Sequence, residues 1–222
     1  MKPFPESGQK VLKKMKEVIA NYDFILAEGT ALAIQIEHRI SVDLDFFTGR
    51  SFSTETVYRK LRKAGFDPMV HQEEQETLTV TLDGVKVSFF HYPYPFVEKR
   101  IRWKGILLAG ILDIASMKAV AISQRGAKRD FIDLYFILRN TPFRKVAENL
   151  IQRFGPNRIN PVHLGKSLVY FKDAEMDPEP LYCGEEKPDW KTIKRFFSDH
   201  VQQMVIDLNR VKGQSTTPPH VL

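Results

Sequence analysis

Two alternating segments, TLTVTL at 77–82 and VKVSFF at 85–90, flank Asp83-Gly84. That arrangement allows little besides a β-hairpin, because Asp-Gly supplies the two positive-φ residues of a type I′ turn. Period-two alternation puts Leu78, Val80, Leu82, Val85, Val87 and Phe89 on one face and leaves Lys86 and Ser88 on the other. A lone hairpin is marginal in water, so the apolar face requires more strands or helices against it. The run His91-Tyr92-Pro93-Tyr94-Pro95-Phe96 ends the second strand, since proline cannot donate to a sheet ladder. Its rings read as packing on the core, with base stacking as the alternative.

The rest of the chain supplies those partners. Val11, Leu12, Met15, Val18, Ile19 and Tyr22 recur at helical spacing over 6–22, and Ala31–Ile36 reads as a short buried helix after Glu28-Gly29-Thr30. Val42–Phe47 alternates as a half-buried strand, with Val42, Leu44 and Phe46 on one face and Asp43, Asp45 and Phe47 on the other. Ser53 caps a helix carrying Val57 and Leu61, and Gly65 ends it; residues 66–71 read as extended. Asp113 starts a helix to Arg125, stopped by Gly126, and Asp130 starts another to Arg139. Further helical patterns cover 144–154 and 190–210, separated by an acidic, proline-rich loop at 173–188. These readings predict three to five strands in the front half and an all-helical back half from near residue 110.

Charge and cysteine content narrow the class. Lys plus Arg number 33 against 27 Asp plus Glu, a net +6 over 222 residues, which favours phosphate-bearing partners over acidic ones. The single cysteine, Cys183, allows no internal disulfide and no cysteine-built zinc site, so a reducing, cytoplasmic setting is expected. Neither a signal peptide nor a membrane-spanning apolar run is legible, so no membrane partner is expected.

The densest chemistry lies between residues 28 and 45. Asp43 and Asp45, two apart on a strand, would present two carboxylates about 6–7 Å apart on one side. Oxygen ligands of that kind suit Mg²⁺, which is commonly held by one or two carboxylates plus substrate phosphates. A solvated strand face is the plainer reading of the same pair. Gly29 and Thr30 at a helix start offer N–H groups and a hydroxyl to phosphate, or form a simple capped turn. Arg39 and Ser41 precede the strand and can contact phosphate, whereas His38 lacks a partner histidine at metal spacing and reads as structural or as a surface residue. Further on, Lys118 and Arg125 lie nearly two helical turns apart and extend from one helix face. Such a pair could hold triphosphate charge. Asp130 reads as an N-cap and Asp133 as a first-turn acid.

Glu28-Gly29-Thr30-Ala31-Leu32-Ala33, His38-Arg39, Ser41 and Asp43-Leu44-Asp45-Phe46-Phe47 resemble the first motif of the AbiEii/AbiGii toxin family. These are nucleotidyltransferases of the polymerase-beta-like superfamily. Lys118, Arg125 and KRDFIDLYFIL at 128–138 are similar to that family's later motif, and the match spans roughly 24–140. The resemblance implies an α+β fold, a nucleotidyltransferase-like mixed β-sheet flanked by helices with a helical C-terminal half. The expected division is an α/β core at 1–108, a helical region packed on it at 109–211, and a disordered tail at 212–222.

The resemblance also implies a function. A Mg²⁺-dependent nucleotidyltransferase would move a nucleoside monophosphate from a nucleoside triphosphate to a hydroxyl acceptor, RNA such as transfer RNA, or protein. A toxin-like role beside a cognate antitoxin follows from the same likeness. Asp43, Asp45 and Asp130 would be catalytic, with Asp43 and Asp45 on the metal. Gly29, Thr30, Arg39, Ser41, Lys118, Arg125, Lys128 and Arg129 would bind nucleotide or extend the basic surface. Glu28 stands where the family commonly has glycine, and Ser88 stands where a third acid is expected. A serine lacks the basicity for that position, which keeps two alternatives open: a non-catalytic nucleotide-binding protein of this fold, or a basic RNA-binding module.

Overall fold

In a computed structural model, which describes residues 2–215, the chain divides into two compact units. The first holds residues 2–95, Lys99–Gly110 and Leu181–Glu185. Its helices are α1 (Glu6–Lys14), α2 (Lys16–Ala20), α3 (Glu28–Ile36) and α4 (Thr54–Lys63). Its strands are β1 (Ile25–Leu26), β2 (Leu44–Thr48), β3 (Met69–Glu74), β4 (Thr77–Leu82), β5 (Val85–His91), β6 (Ile101–Trp103) and β7 (Ile106–Leu108). They form one sheet in the order β3-β4-β5-β2-β1-β7-β6. The sheet is mixed: β2 runs parallel to β5 and β1 parallel to β7, and the other neighbours are antiparallel. The Asp83-Gly84 hairpin forms as its sequence predicts, with Leu82 paired to Val85.

One sheet face is the core. Leu44, Phe46, Leu78, Val80, Val87 and Phe89 are fully buried, and Phe89 packs on Phe24 and Phe46 with ring centroids 5.1 and 5.7 Å apart. This burial is the main force holding the sheet, each large apolar side chain contributing about 1.5–3 kcal/mol. β2 is the central strand, paired on both flanks, with β1 and β5.

Several expectations change. The sheet has seven strands, because β1, β6 and β7 are two or three residues long and too short to show a period. Lys104-Gly105, with φ of 48° and 85°, makes the tight β6–β7 turn. β2 begins at Leu44, and Val42 is 54% exposed, so Val42 does not join the apolar face. The opening helix is broken at Met15, whose ψ is −2°.

The second unit holds residues 96–98, 111–180 and 186–215. Its helices are α5 (Ile111–Arg125), α6 (Lys128–Leu138), α7 (Phe143–Phe154), α8 (Pro161–Leu168) and α9 (Trp190–Ser215). Helix α6 begins at Lys128 with Ala127 as its N-cap, so Asp130 is a first-turn residue and not the cap. Helix α9 includes residues 212–215, which the sequence reading assigned to a tail; positions 216–222 lie outside the described residues. Phe131 anchors this unit, its ring 5.3–5.7 Å from Phe171, Phe197 and Trp190. A second anchor is polar. The Asp113 carboxylate is fully buried and accepts from the Val97 and Glu98 N–H groups (3.2 and 3.1 Å) and from Asn149 Nδ2 (2.9 Å).

Candidate active site

Asp45 lies on β2, and Asp43 is the residue immediately before its start. Both are half-buried. Register pairs Asp45 with Ser88 of β5, and Ser88 with Thr79 of β4. Paired residues point to the same face, so Ser88 sits beside Asp45, opposite the aromatic core. Ser88 is 3% exposed, and no carboxylate occupies that row on β5 or β4.

Helix α3 brings its first turn to the same place. The backbone stops being strand at Ala27, whose N–H donates to the Asp45 carbonyl at 3.1 Å, and Glu28 turns the chain with φ 60°. The Thr30 hydroxyl is shared between Ser41 Oγ (2.9 Å) and the Asp43 carbonyl. These bonds tie the helix start to the segment carrying Asp43. Gly29 permits a close approach: a Cβ there would lie 2.5 Å from Arg39 Nη2 and 3.1 Å from Ser41 Oγ, so the guanidinium would have to move aside. Arg39, 5% exposed, therefore lays its guanidinium against the helix start. Gly29, Thr30, Arg39 and Ser41 thus lie together at the helix start. Behind them, residues 181–183 pad the segment, Ile40 N–H donating to the Leu181 carbonyl and Cys183 N–H to the His38 carbonyl at 2.7 and 2.9 Å. His38 is buried.

Asp43 and Asp45 are the residues that could hold Mg²⁺. Among the described residues no group of three or more His, Cys, Asp or Glu is placed to hold a metal, so a site built by protein alone is not available. Two half-buried carboxylates suit a cation that keeps water and takes its other oxygens from phosphate.

In the helical unit a second cluster forms around Asp130. Arg125 donates to both its oxygens, Nε to Oδ2 at 2.8 Å and Nη2 to Oδ1 at 3.0 Å, and Lys118 Nζ lies 2.9 Å from Oδ1. Lys118 also lies 3.1 Å from Asp133 Oδ2. Lys118 is 2% exposed, and Asp130 and Asp133 are fully buried, whereas the Arg125 side chain is half exposed. Burial works against the Asp130 charge; the Lys118 charge and the Arg125 hydrogen bonds outweigh it and hold the carboxyl below its ordinary pKa.

This geometry revises the sequence reading of these residues. Lys118 and Arg125 do share a face, but Lys118 is turned inward onto carboxylates. Lys128 is also not part of an open basic surface: it is 5% exposed, with Nζ on the Asp177 carbonyl (2.7 Å) and Glu179 (3.1 Å) and its N–H on the Asp177 carboxylate. Arg129 is exposed. The roles of Asp133, Asp177 and Glu179 were missed, since acids in a helix turn and an acidic loop carry no spacing that names their partner.

The mixed sheet thus carries Asp45 on its central strand, Asp43 just before it and a glycine-turned helix beside it. The family model described as "Nucleotidyl transferase AbiEii toxin, Type IV TA system" matches residues 10–207. The chain belongs to this family and is a nucleotidyltransferase of the toxin type. An uncharacterized protein of Aquifex aeolicus (strain VF5) is 39% identical over 208 residues, 91% of this chain and 98% of that one. Among solved structures, JHP933 from Helicobacter pylori aligns with TM-score 0.57 at 17% identity, over 94% of this chain and 95% of that one. MenT4, a nucleotidyltransferase toxin from Mycobacterium tuberculosis H37Rv, aligns with TM-score 0.55 at 12% identity, over 94% and 92%. Those two likenesses are of fold. No helix among the described residues is long and apolar enough to cross a membrane.

Proposed function

We propose that this chain transfers a nucleoside monophosphate from a nucleoside triphosphate to a hydroxyl on RNA or protein, with Mg²⁺ held by Asp43 and Asp45. The observation carrying this reading is the half-buried carboxylate pair tied through Thr30 to a helix start whose Gly29 is covered by Arg39. Bound there, the metal would supply charge neutralisation and alignment of the α-phosphate. The first-turn N–H groups of α3 and the Arg39 guanidinium favour the triphosphate's negative charge, and Ser41 adds a hydroxyl. In the helical unit, Arg125 is the half-exposed member of the second cluster and carries the charge proposed for binding phosphate; Lys118 and Asp130 are positioning groups that hold it. The acceptor oxygen forms a bond to the α-phosphorus, its hydroxyl proton passes to solvent, the bond to the bridging oxygen breaks, and pyrophosphate leaves. With serine at position 88, the reaction proceeds without a carboxylate base there. A positioned base commonly contributes about 10²–10⁴-fold, so turnover is expected to be slow.

The family's toxin–antitoxin setting supports a cognate antitoxin as partner, and a lone buried cysteine accords with a reducing, cytoplasmic one. The test is incubation with each α-labelled triphosphate, Mg²⁺, total RNA and cell protein. Label should move with the wild type, and should vanish without divalent metal and in Asp43→Asn/Asp45→Asn. Metal-independent labelling, or labelling by the double variant, would overturn the assignment.

A further inference from the structure

The two edges of the sheet carry opposite charge. The β3 edge is exposed along its length and bears Glu73 and Glu74, and it is interrupted by a bulge between Val70 and Gln72. The β6 edge is basic: Lys99, Arg100, Arg102 and Lys104 fall within six residues and are all exposed. Lys16 joins them from α2, its ammonium 3.4 Å from where a Gly105 Cβ would be. None of the ion pairs of this unit engages Lys16, Lys99, Arg100 or Arg102 among the described residues. The preceding acid, Glu98, is occupied by the Leu112 N–H at 2.7 Å. Lys104 is the better-anchored member, bonded to Gln9 and lying 4.8 Å from the Trp103 ring centroid.

Register places this edge relative to the carboxylates. Arg102 pairs with Leu107, Leu107 with Ile25, and Ile25 with Phe47. Paired residues share a face, and Phe47 shares its face with Asp45 two residues earlier. Arg102 therefore projects from the same sheet face as Asp45 and Ser88, three strand spacings away, or about 14 Å. Trp103 points to the opposite face, against Phe4.

We propose that the β6 edge, through Lys99, Arg100 and Arg102, is a docking surface for the phosphate backbone of an acceptor RNA. This deepens the transfer reading above and rests on it for the word acceptor; the binding itself does not depend on catalysis. Charged edges also serve to block strand pairing, but that purpose is indifferent to sign, as the acidic β3 edge shows. An unneutralised, single-sign cluster that continues onto a neighbouring helix and shares a face with the catalytic carboxylates matches a polyanion. An extended backbone reaching from β6 would present a hydroxyl near β2 within a few nucleotides.

The test uses the full chain and a labelled single-stranded RNA of about 20 nucleotides, with affinity measured across a salt series. Lys99→Gln/Arg100→Gln/Arg102→Gln changes only exposed side chains, and its thermal unfolding should match the wild type. Its salt slope should be shallower by about 2, as expected for three lost phosphate contacts on a single strand at about 0.7 each, with affinity down at least tenfold at 0.1 M salt. Triphosphate binding should be unchanged. Asp43→Asn/Asp45→Asn should bind RNA like the wild type, so loss of transfer and loss of docking are read separately. An unchanged slope and affinity in a folded triple variant would overturn the proposal, as would a variant that self-associates while binding RNA normally. Preferential binding of polyglutamate over RNA by the wild type would assign the edge to an acidic protein and overturn it equally.

Discussion

Gly29 and Asp130 show how single side chains set the chemistry of each unit. An alanine methyl at 29 would meet the Arg39 guanidinium at 2.5 Å, while alanine is worth about 0.5–1 kcal/mol over glycine inside a helix. Gly29→Ala should therefore leave the melting temperature within a few degrees of the wild type and weaken triphosphate binding about tenfold, measured by calorimetric titration. Equal affinity would show that the Arg39 position does not matter to the ligand. Asp130 is the reverse case, a buried carboxylate whose charge holds Lys118 and Arg125 and whose loss should be read first in stability. Removing its charge takes one of two carboxylates from the buried Lys118 ammonium, and breaking a buried pair costs about 3–5 kcal/mol. Asp130→Asn should lose about 3 kcal/mol in urea unfolding. Because Lys118 and Arg125 outweigh burial and lower the Asp130 pKa, its contribution is full above the unfolded value of about 4. It disappears as pH falls through the lower folded value. Wild-type stability should drop over that acid window, and the Asn variant should be flatter there.

Between elements, the critical tie is the Thr30 hydroxyl, which holds the start of α3 to Ser41 and to the Asp43 carbonyl. Thr30→Val keeps the shape and leaves those buried groups short of a donor, a cost of about 1–3 kcal/mol. Transfer should fall more steeply than stability, with Thr30→Ser restoring both. Parallel losses in activity and stability would reduce Thr30 to a packing residue. The elements legible in the sequence were those with length or a turn signature: the Asp83-Gly84 hairpin, the Ser53-capped helix, and the helices read over 113–125 and 190–210, which extend to Ile111–Arg125 and Trp190–Ser215. Ser53 does accept from the Thr56 N–H at 3.3 Å. Strands β1, β6 and β7 escaped because two or three residues cannot display alternation, and their pairing is fixed by tertiary neighbours. Asp130 looked like a cap because acids favour helix starts, but its partners, Lys118 and Arg125, lie on another helix.

At the scale of the whole molecule, the residues of the proposed site lie close together in the sequence, whereas those that set the architecture are scattered. The glycine turn and the Asp-x-Asp spacing were visible in one strip of 18 residues, 28–45, and the family match extends that to residues 10–207. The exchange of short segments between units, residues 96–98 joining the helices and 181–185 joining the sheet, was invisible. It depends on single contacts such as the Asp113 carboxylate with the Val97 and Glu98 N–H groups. Asn149→Leu removes one donor to that buried carboxylate and should lower stability by about 1–3 kcal/mol without changing triphosphate affinity. The central claim, nucleotidyl transfer at the β2 carboxylates, is tested most directly by parallel reactions with α- and γ-labelled triphosphate. The account predicts α-label on the acceptor, γ-label in released pyrophosphate, and neither product from Asp43→Asn/Asp45→Asn. The appearance of γ-label on the acceptor, or of free inorganic phosphate in place of pyrophosphate, would contradict it.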